Sequence, residues 1–465
     1  MVTDGLTADQ RKAIMQRKKY AVCGLSDRAI NLLVLPIVGN PAYLGDGDDF
    51  SGVAELVAII DIDPIRVQRF QDTLGLEVPY YQPGDFGAMV DACAPDTVIV
   101  AGPDATHAGF AVAALARGLD VIVEKPLAST ATDARAVLDA EASSPGKVLV
   151  GHNFRYEAAI RRLRSLVASG AVGRVVAVDL VWGVDTYHGA SYFWRWNRLR
   201  ANSGGLSVHK SCHHLDMVSW VIQDSIESVF AFGARNFYGA ASPHRPHGAD
   251  GEELPAELER AASPYHHRWR GSALPEHDDH FIGPWQAMGY PAQYPEGSTR
   301  YIFDAEIDIE DTYSAALRFR GGASMSYALT FSSPWEGYRM GITGTHGRIE
   351  TEDVYFRGGP SAGSQRIEVM PLFGPRESVE IAPDTGAHGG ADKWIRRDLI
   401  GGPSAESVRE GLPASSLQAA LAVAAGEALW RSVQEERPVG VAELLRLDQV
   451  PSWDGVPSTP TSSAS

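Results

Sequence analysis

The chain has 465 residues, 44% of them hydrophobic, and its 41 Lys and Arg against 58 Asp and Glu give a formal net charge of −17. That length suits two domains rather than one, and the acidic balance argues against a nucleic-acid partner, whose phosphates are held by clustered Lys and Arg. Three scattered cysteines, Cys23, Cys93 and Cys212, are too few for a disulfide framework and suit a reducing compartment. The start, Met1 to Tyr20, lacks an apolar signal core, and no run of about 18 apolar residues occurs. The expected location is therefore the cytoplasm, with no membrane partner.

Residues 1–19 read as an N-terminal extension. Tyr20 to Cys23 is a short apolar strand, followed by the turn Gly24 to Ala29 and an apolar stretch, Ile30 to Val38, that suits a helix. Leu56 to Ile60 is a second strand ending in Asp61, and Pro64 to Leu74 has helical spacing. Thr97 to Ala101 is a third strand, with a turn through Asp104, Thr106 and His107 and a helix over Ala108 to Arg117. Val121 to Val123 and Val148 to Val150 complete the series. Strands alternating with helices predict a doubly wound parallel sheet, a Rossmann-type α/β domain over 20–150.

After Gly151 the segments lengthen: Val175 to Val184, Ser228 to Phe232, Asp311 to Phe319, Gly322 to Phe331 and Arg339 to Ile342. The turn at Gly321 and Gly322 joins adjacent strands, so the second domain, 151–441, is expected to be α+β with a largely antiparallel sheet. Within it, about 236–299 is rich in Pro, Gly, His and acidic residues and reads as an insertion over the site or at a subunit contact. Ser415 to Gln434 is an Ala-rich amphipathic helix. The tail 442–465 ends in the Ser, Thr and Pro composition of disorder.

Gly24, Ser26 and Ala29 occupy the three small-residue positions of a dinucleotide-binding turn, where the backbone can approach a pyrophosphate at a helix amino terminus. Only the first is glycine, and a plain turn is the bland alternative. Asp61 strengthens the reading, because an acid there can accept hydrogen bonds from the adenine ribose. It lies 37 residues beyond Gly24, against about 20 in the usual fingerprint, with the excess in the Gly- and Asp-rich segment Gly39 to Gly52. A carboxylate there, with Asp63 beyond it, repels a 2′-phosphate and favours NAD over NADP; the alternative is that Asp61 caps the next helix. Glu124, Lys125, Pro126 and Leu127 follow a buried strand at the carboxyl edge, where open α/β sheets bind ligands.

Together, the turn GLSDRA, Asp104 to His107 (DATH), Glu124 to Leu127 (EKPL), Gly151 to Tyr156 (GHNFRY) and Lys210 to Asp216 (KSCHHLD) resemble the Gfo/Idh/MocA oxidoreductase family, over Tyr20 to about Val441. The resemblance implies a Rossmann domain followed by a domain with an open antiparallel sheet. It also implies an NAD(P)-dependent reaction at a hydroxyl of a sugar, inositol or glycoside, a usually cis Lys–Pro bond, and a homodimer or homotetramer. The nucleotide would be held by Gly24, Ser26, Asp27, Arg28, Asp61, Asp104, Thr106, His107, Glu124, Lys125, Asn153 and Arg155.

Lys125 is then the group that reaches both nicotinamide ribose and substrate, its ammonium stabilising an alkoxide as hydride leaves carbon. His213 matches the acid/base histidine, with Asp216 as its structural partner or a substrate ligand. The position four before it is often aspartate in inositol-type members and is His209 here, which leaves Lys210 as second candidate for proton transfer. His209 and His213 at i and i+4 permit a zinc reading, but no thiolate set accompanies them and the expected metal is none. His266 with His267 and His277 with His280 read as solvated loop residues.

The segment Tyr187 to Asn197 packs aromatics and hydrogen-bonding groups as a carbohydrate pocket needs, or else forms core or an oligomer contact. Tyr187, His188, Trp194, Arg195, His209, His214 and Asp216 are the expected substrate contacts, and Arg155, Arg195 and Lys210 together would admit an anionic sugar. Three outcomes stay open. The first is net oxidation at a ring carbon, expected to be C3. The second is a redox-neutral glycosidase that oxidises C3, eliminates aglycone, adds water and takes the hydride back. The third is a non-catalytic NAD-binding regulator.

Overall fold

The computed structural model describes residues 17–41, 44, 48–255, 258–259, 300–356, 365–382 and 390–453. Short, nearly all-apolar runs, which only a sheet covered on both faces can bury, make the first layer. These are β1 (Lys18–Cys23), β2 (Ala54–Ile60), β3 (Tyr80–Tyr81), β4 (Thr97–Val100), β5 (Asp120–Val123) and β6 (Val148–Val150), parallel throughout in the order β6-β5-β4-β1-β2-β3. The order reverses between β1 and β4, and ligands bind in the crevice at such a switch point. Gly24, Gly102, Glu124 and Gly151 follow the carboxyl ends of β1, β4, β5 and β6.

The second sheet contains β7 (Val175–Asp185), β8 (Ile226–Ala234), β9 (Thr312–Phe319), β10 (Ser324–Ser333), β11 (Glu336–Gly344), β12 (Gly347–Tyr355), β13 (Gln365–Pro371) and β14 (Glu377–Ile381). After β15 (Ala414–Ser415), which lies elsewhere, β16 (Val439–Gly440) closes it, in the order β14-β13-β12-β11-β7-β10-β9-β8-β16. All its pairs are antiparallel except β7 with β10. On its outer face Val181, Ser326 and Arg339 are exposed. β12 to β14 are not expected from the sequence: their charged, alternating residues lie towards one edge, where little apolar signal is needed.

The late chain returns to the first sheet. β15 pairs antiparallel with β6 and covers its edge, and the helix Ser416–Glu435 that follows is opened by a capping box between Ser415 and Gln418. The helix Ala391–Gly401 lies against β1, where Tyr20 donates to the Ile400 carbonyl (3.0 Å), and beside the nucleotide turn, where Arg28 pairs with Asp392. The described start of the 236–299 segment is anchored by Asp311, whose carboxylate accepts from the amides of Asn236, Phe237 and Tyr238. His266, His267, His277 and His280 lie outside the described residues.

Candidate functional site

At the nucleotide turn Gly24 has φ +93°, and a Cβ there would sit 2.4 Å from the Cα and N of Gly102. Two glycine turns thus approach as no side chain would permit, and Ser26 caps the following helix by accepting from Ala29 N (3.1 Å). Gly24→Ala is therefore expected to lower the melting temperature and weaken NADH binding, read by nucleotide fluorescence; unchanged affinity would contradict this account of the turn.

Asp61 closes the turn from β2, accepting from Leu25 N (2.7 Å) and Asp63 N (3.0 Å). The helix Pro64–Leu74 is capped by Asp63, not Asp61. Asp27 accepts from Asn31 (2.6 Å), and Thr106 donates to the Pro103 carbonyl (2.7 Å). Asn153 is buried and its Oδ1 has no partner. The glycine-lined turn, the helix amino terminus and this orphaned acceptor fit a dinucleotide.

Several expected cofactor residues are turned to other work. Arg28 donates to Glu124 (3.2 Å) and, through both terminal nitrogens, to Asp392 (2.5 and 2.8 Å), tying the turn to β5 and the Ala391–Gly401 helix. His107 is buried with Nδ1 2.7 Å from the Pro126 carbonyl and Nε2 2.9 Å from that of Gly102. It braces the Lys125–Pro126 bond, which is cis.

Arg155 and Asp216 require a correction. Arg155 is 0% and Asp216 1% exposed, and the guanidinium donates to both carboxylate oxygens (2.8 and 2.5 Å) while its remaining nitrogen holds the Gly411 carbonyl and Gln418. Charges so deep must satisfy one another, and the polar atoms of both side chains are taken by protein partners. His214 is likewise core: its ring stacks on Trp182 at 3.8 Å and Nδ1 meets the Tyr327 hydroxyl at 2.7 Å. Without Arg155, the cationic trio expected to receive an anionic sugar is reduced to Arg195 and Lys210.

The remaining polar groups converge on Lys125. Its Nζ crosses from the end of β5 to donate to the His209 carbonyl (3.3 Å), where Lys210 separates the turn Leu206–His209 from the helix Ser211–Ile222. Gly204, before this break, would place a Cβ 2.2 Å from the Ser129 carbonyl, so glycine is required for the chain to pass. His209 Nδ1 is 2.5 Å from Asp104 Oδ2, and Asn197 donates to Nε2 (3.2 Å). The aspartate absent from position 209 is thus supplied by the DATH turn of the first domain. Burial pushes Asp104 up to about 7, against the pull of His107 and Lys125; burial, reinforced by Lys125 and Lys210, pushes His209 well down.

His213 lies beside the Phe154 ring (4.8 Å), its Nδ1 buried without a partner. Burial first, then Lys125 and Lys210, hold it well below the ordinary histidine range, so the imidazole is neutral at neutral pH and able to accept a proton. Burial also lowers Lys210, against the opposing pull of Glu336, and its Nζ stands 6.0 Å over the Trp182 ring. His152, not selected from the sequence, packs edge-on to His213 (6.0 Å) and 3.8 Å from Asp216; burial lowers it to about 4.

The aromatic segment forms the helix Thr186–Trp194, capped by Asp185, and its Tyr192 ring packs edge-on to that of His209. Tyr187 is buried in this helix, and Trp194 is half-buried against the core. Arg195 follows, its Nε buried without a partner, and burial lowers it despite Tyr192 and Asp27 nearby. His188 bridges Glu336 and Tyr192. Glu336 was invisible in the sequence, since it carries no motif and arrives at the start of β11. Among the described residues no group of three or more His, Cys, Asp and Glu is arranged to hold a metal ion, and no helix is long and apolar enough to cross a membrane.

A nucleotide turn at the switch point of the first sheet, with Lys125 beyond β5 reaching the helices of the second domain that carry His209 and His213, defines a two-domain nicotinamide-dependent oxidoreductase. The chain belongs to the Gfo/Idh/MocA family: residues 19–152 match the model for its NAD-binding Rossmann fold and residues 164–441 that for its C-terminal alpha/beta domain. It is 40% identical over 445 residues to the Bacillus subtilis (strain 168) protein named "Putative oxidoreductase YteT", covering 93% of this chain and all of that one. It is 30% identical over 186 residues to the inositol 2-dehydrogenase of Rubrobacter xylanophilus, 39% of this chain and 48% of that one. The match thus spans about half of that enzyme's length. Levoglucosan dehydrogenase, solved with NADH and levoglucosan, shares the fold with a TM-score of 0.61 at 16% identity, over 92% of this chain and 100% of that one.

Proposed function

We propose that this protein is an NAD-dependent dehydrogenase acting at a ring hydroxyl carbon, expected to be C3, of a sugar, cyclitol or glycoside. The observation that carries the reading is Lys125, whose Nζ bridges the two domains to the carbonyl of His209 (3.3 Å), four residues before His213. The names of the relatives, inositol 2-dehydrogenase and levoglucosan dehydrogenase, point to the same substrate class.

Gly24, Ser26, Asp61 and Asn153 would hold the dinucleotide, and bound NAD supplies a hydride acceptor. Lys125 then holds the reacting oxygen and stabilises its developing negative charge. His213 is the first candidate to take the hydroxyl proton, being neutral at neutral pH with Nδ1 unpartnered, although burial makes it a weaker base than free histidine. Asp104 fixes the ring of His209, whose carbonyl in turn fixes Lys125. The exposed outer face of the second sheet is where a second copy of the chain is expected to pack.

The test is incubation with NAD and a panel of aldoses, cyclitols and glycosides. Lasting NADH absorbance with at least one compound is the expected result. Aglycone release with NAD undiminished would move the reading to redox-neutral glycoside cleavage. Neither product, with NADH still bound, would leave a nucleotide-binding regulator.

A further inference from the structure

Glu336, His188 and Tyr192 form a chain of hydrogen bonds that the reaction as described does not use. The Glu336 carboxylate is buried and is anchored by the Asp185 amide, which donates to Oε2 (2.8 Å). Its other oxygen faces His188 Nδ1 at 2.9 Å. Burial alone would raise this carboxyl, but His188 and Lys210 hold it below the usual range. It is therefore an acceptor only, and His188 carries its proton on Nδ1. The lone pair of Nε2 is then turned to the Tyr192 hydroxyl, 2.9 Å away, which must be the donor. That orientation leaves the Tyr192 oxygen free to accept one further hydrogen bond.

Its position says from what. The Tyr192 ring packs edge-on to the His209 ring at 5.5 Å, and the His209 carbonyl is the group that holds Lys125. Tyr192 is 9% exposed, whereas the His188 side chain is 38% exposed. The hydrogen-bond chain thus runs from the buried Tyr192 to the partly solvent-exposed side chain of His188. The titratable and charged groups acting on it are Glu336 and Asp185 beside His188, and Lys125, Arg195, Asp104 and Lys210 around Tyr192 and Glu336.

We infer that Tyr192, His188 and Glu336 form a proton exit, in which the Tyr192 oxygen accepts from a substrate hydroxyl and passes its own proton to His188 Nε2. The inference rests on the dehydrogenase reading and extends it. As the alcohol is oxidised, its C–H bond gives hydride to NAD and its O–H proton passes to the Tyr192 oxygen and leaves along this chain, so that Tyr192 stands in place of His213 as the first acceptor. Tyr192 stays neutral throughout, because one O–H bond forms as the other breaks. The imidazolium that results is stabilised by Glu336 and loses a proton to water, so the sum is ketone, NADH and one proton. Tyr192 is the residue that touches substrate; His188 and Glu336 are positioning residues.

Two measurements test this on the full-length protein. Long-range nitrogen–proton NMR of histidine-labelled protein, with each resonance assigned by substitution, is expected to show His188 as the Nδ1–H tautomer, with its Nε2 resonance displaced in Tyr192→Phe. An Nε2–H tautomer, or no displacement, would overturn the proposal whether or not any sugar is turned over. With a compound oxidised in the panel above, His188→Gln is expected to slow the single-turnover appearance of NADH by about 10²-fold. The same variant should keep NADH affinity and recover rate with added imidazole buffer. A wild-type rate, or a loss that imidazole does not restore, would overturn it. An absence of oxidation by the wild type, with the tautomer as expected, would instead refute the dehydrogenase reading.

Discussion

Lys125→Met will abolish measurable turnover, lowering kcat by about 10³-fold, the scale set by removing one preorganised donor from a developing oxyanion. Methionine approximates the length of the lysine stem and removes only the positive charge and its donors. The variant should fold and still bind NADH, since the glycine turn, Asp61 and the helix cap at Ser26 are untouched. Near-wild-type turnover in Lys125→Met would remove the central group of the proposed chemistry.

Asp216→Ala is expected to act through stability instead. Removing one partner of a buried ion pair leaves the other charge uncompensated, at a cost of about 3–5 kcal/mol. Here the orphan would be the Arg155 guanidinium, fully buried between Gly411, Gln418 and the vacated carboxylate site. Denaturation midpoints should fall sharply, and the double replacement by apolar residues should recover part of the loss, because pairs of this kind can be exchanged for packed side chains. If Asp216→Ala kept its stability and lost only affinity for sugar, Asp216 would be a substrate ligand after all.

The contrast between these two residues shows what was legible in the chain. Lys125 was readable because the all-apolar run before it places it at the carboxyl edge of a parallel sheet, and β5 ends there. Asp61 was readable for the same reason at the end of β2. Arg155 and Asp216 stand in motifs equally rich in polar residues, yet they face each other across 61 positions. Residue type and local spacing do not say whether a polar side chain meets a ligand or another side chain. Tertiary packing decides that.

The same holds for His209, whose carboxylate partner Asp104 is 105 residues away on the other domain, and for Glu336, which acquires meaning only when β11 brings it to His188. His107 resembled a nucleotide ligand in the DATH turn; the proximity of two carbonyls makes it a brace. The fold was more legible than the site because strand burial is a property of runs, whereas site geometry depends on single contacts between distant ones.

The claim that a ring-carbon hydride moves to the nicotinamide in the Lys125–His213 cleft is tested most directly by isotope. The wild type would be incubated with NAD and a substrate from the panel carrying deuterium on the carbon of the oxidised hydroxyl, and the cofactor analysed by mass spectrometry. The account predicts one deuterium in the recovered NADH. Product formed with no deuterium in the cofactor would contradict it.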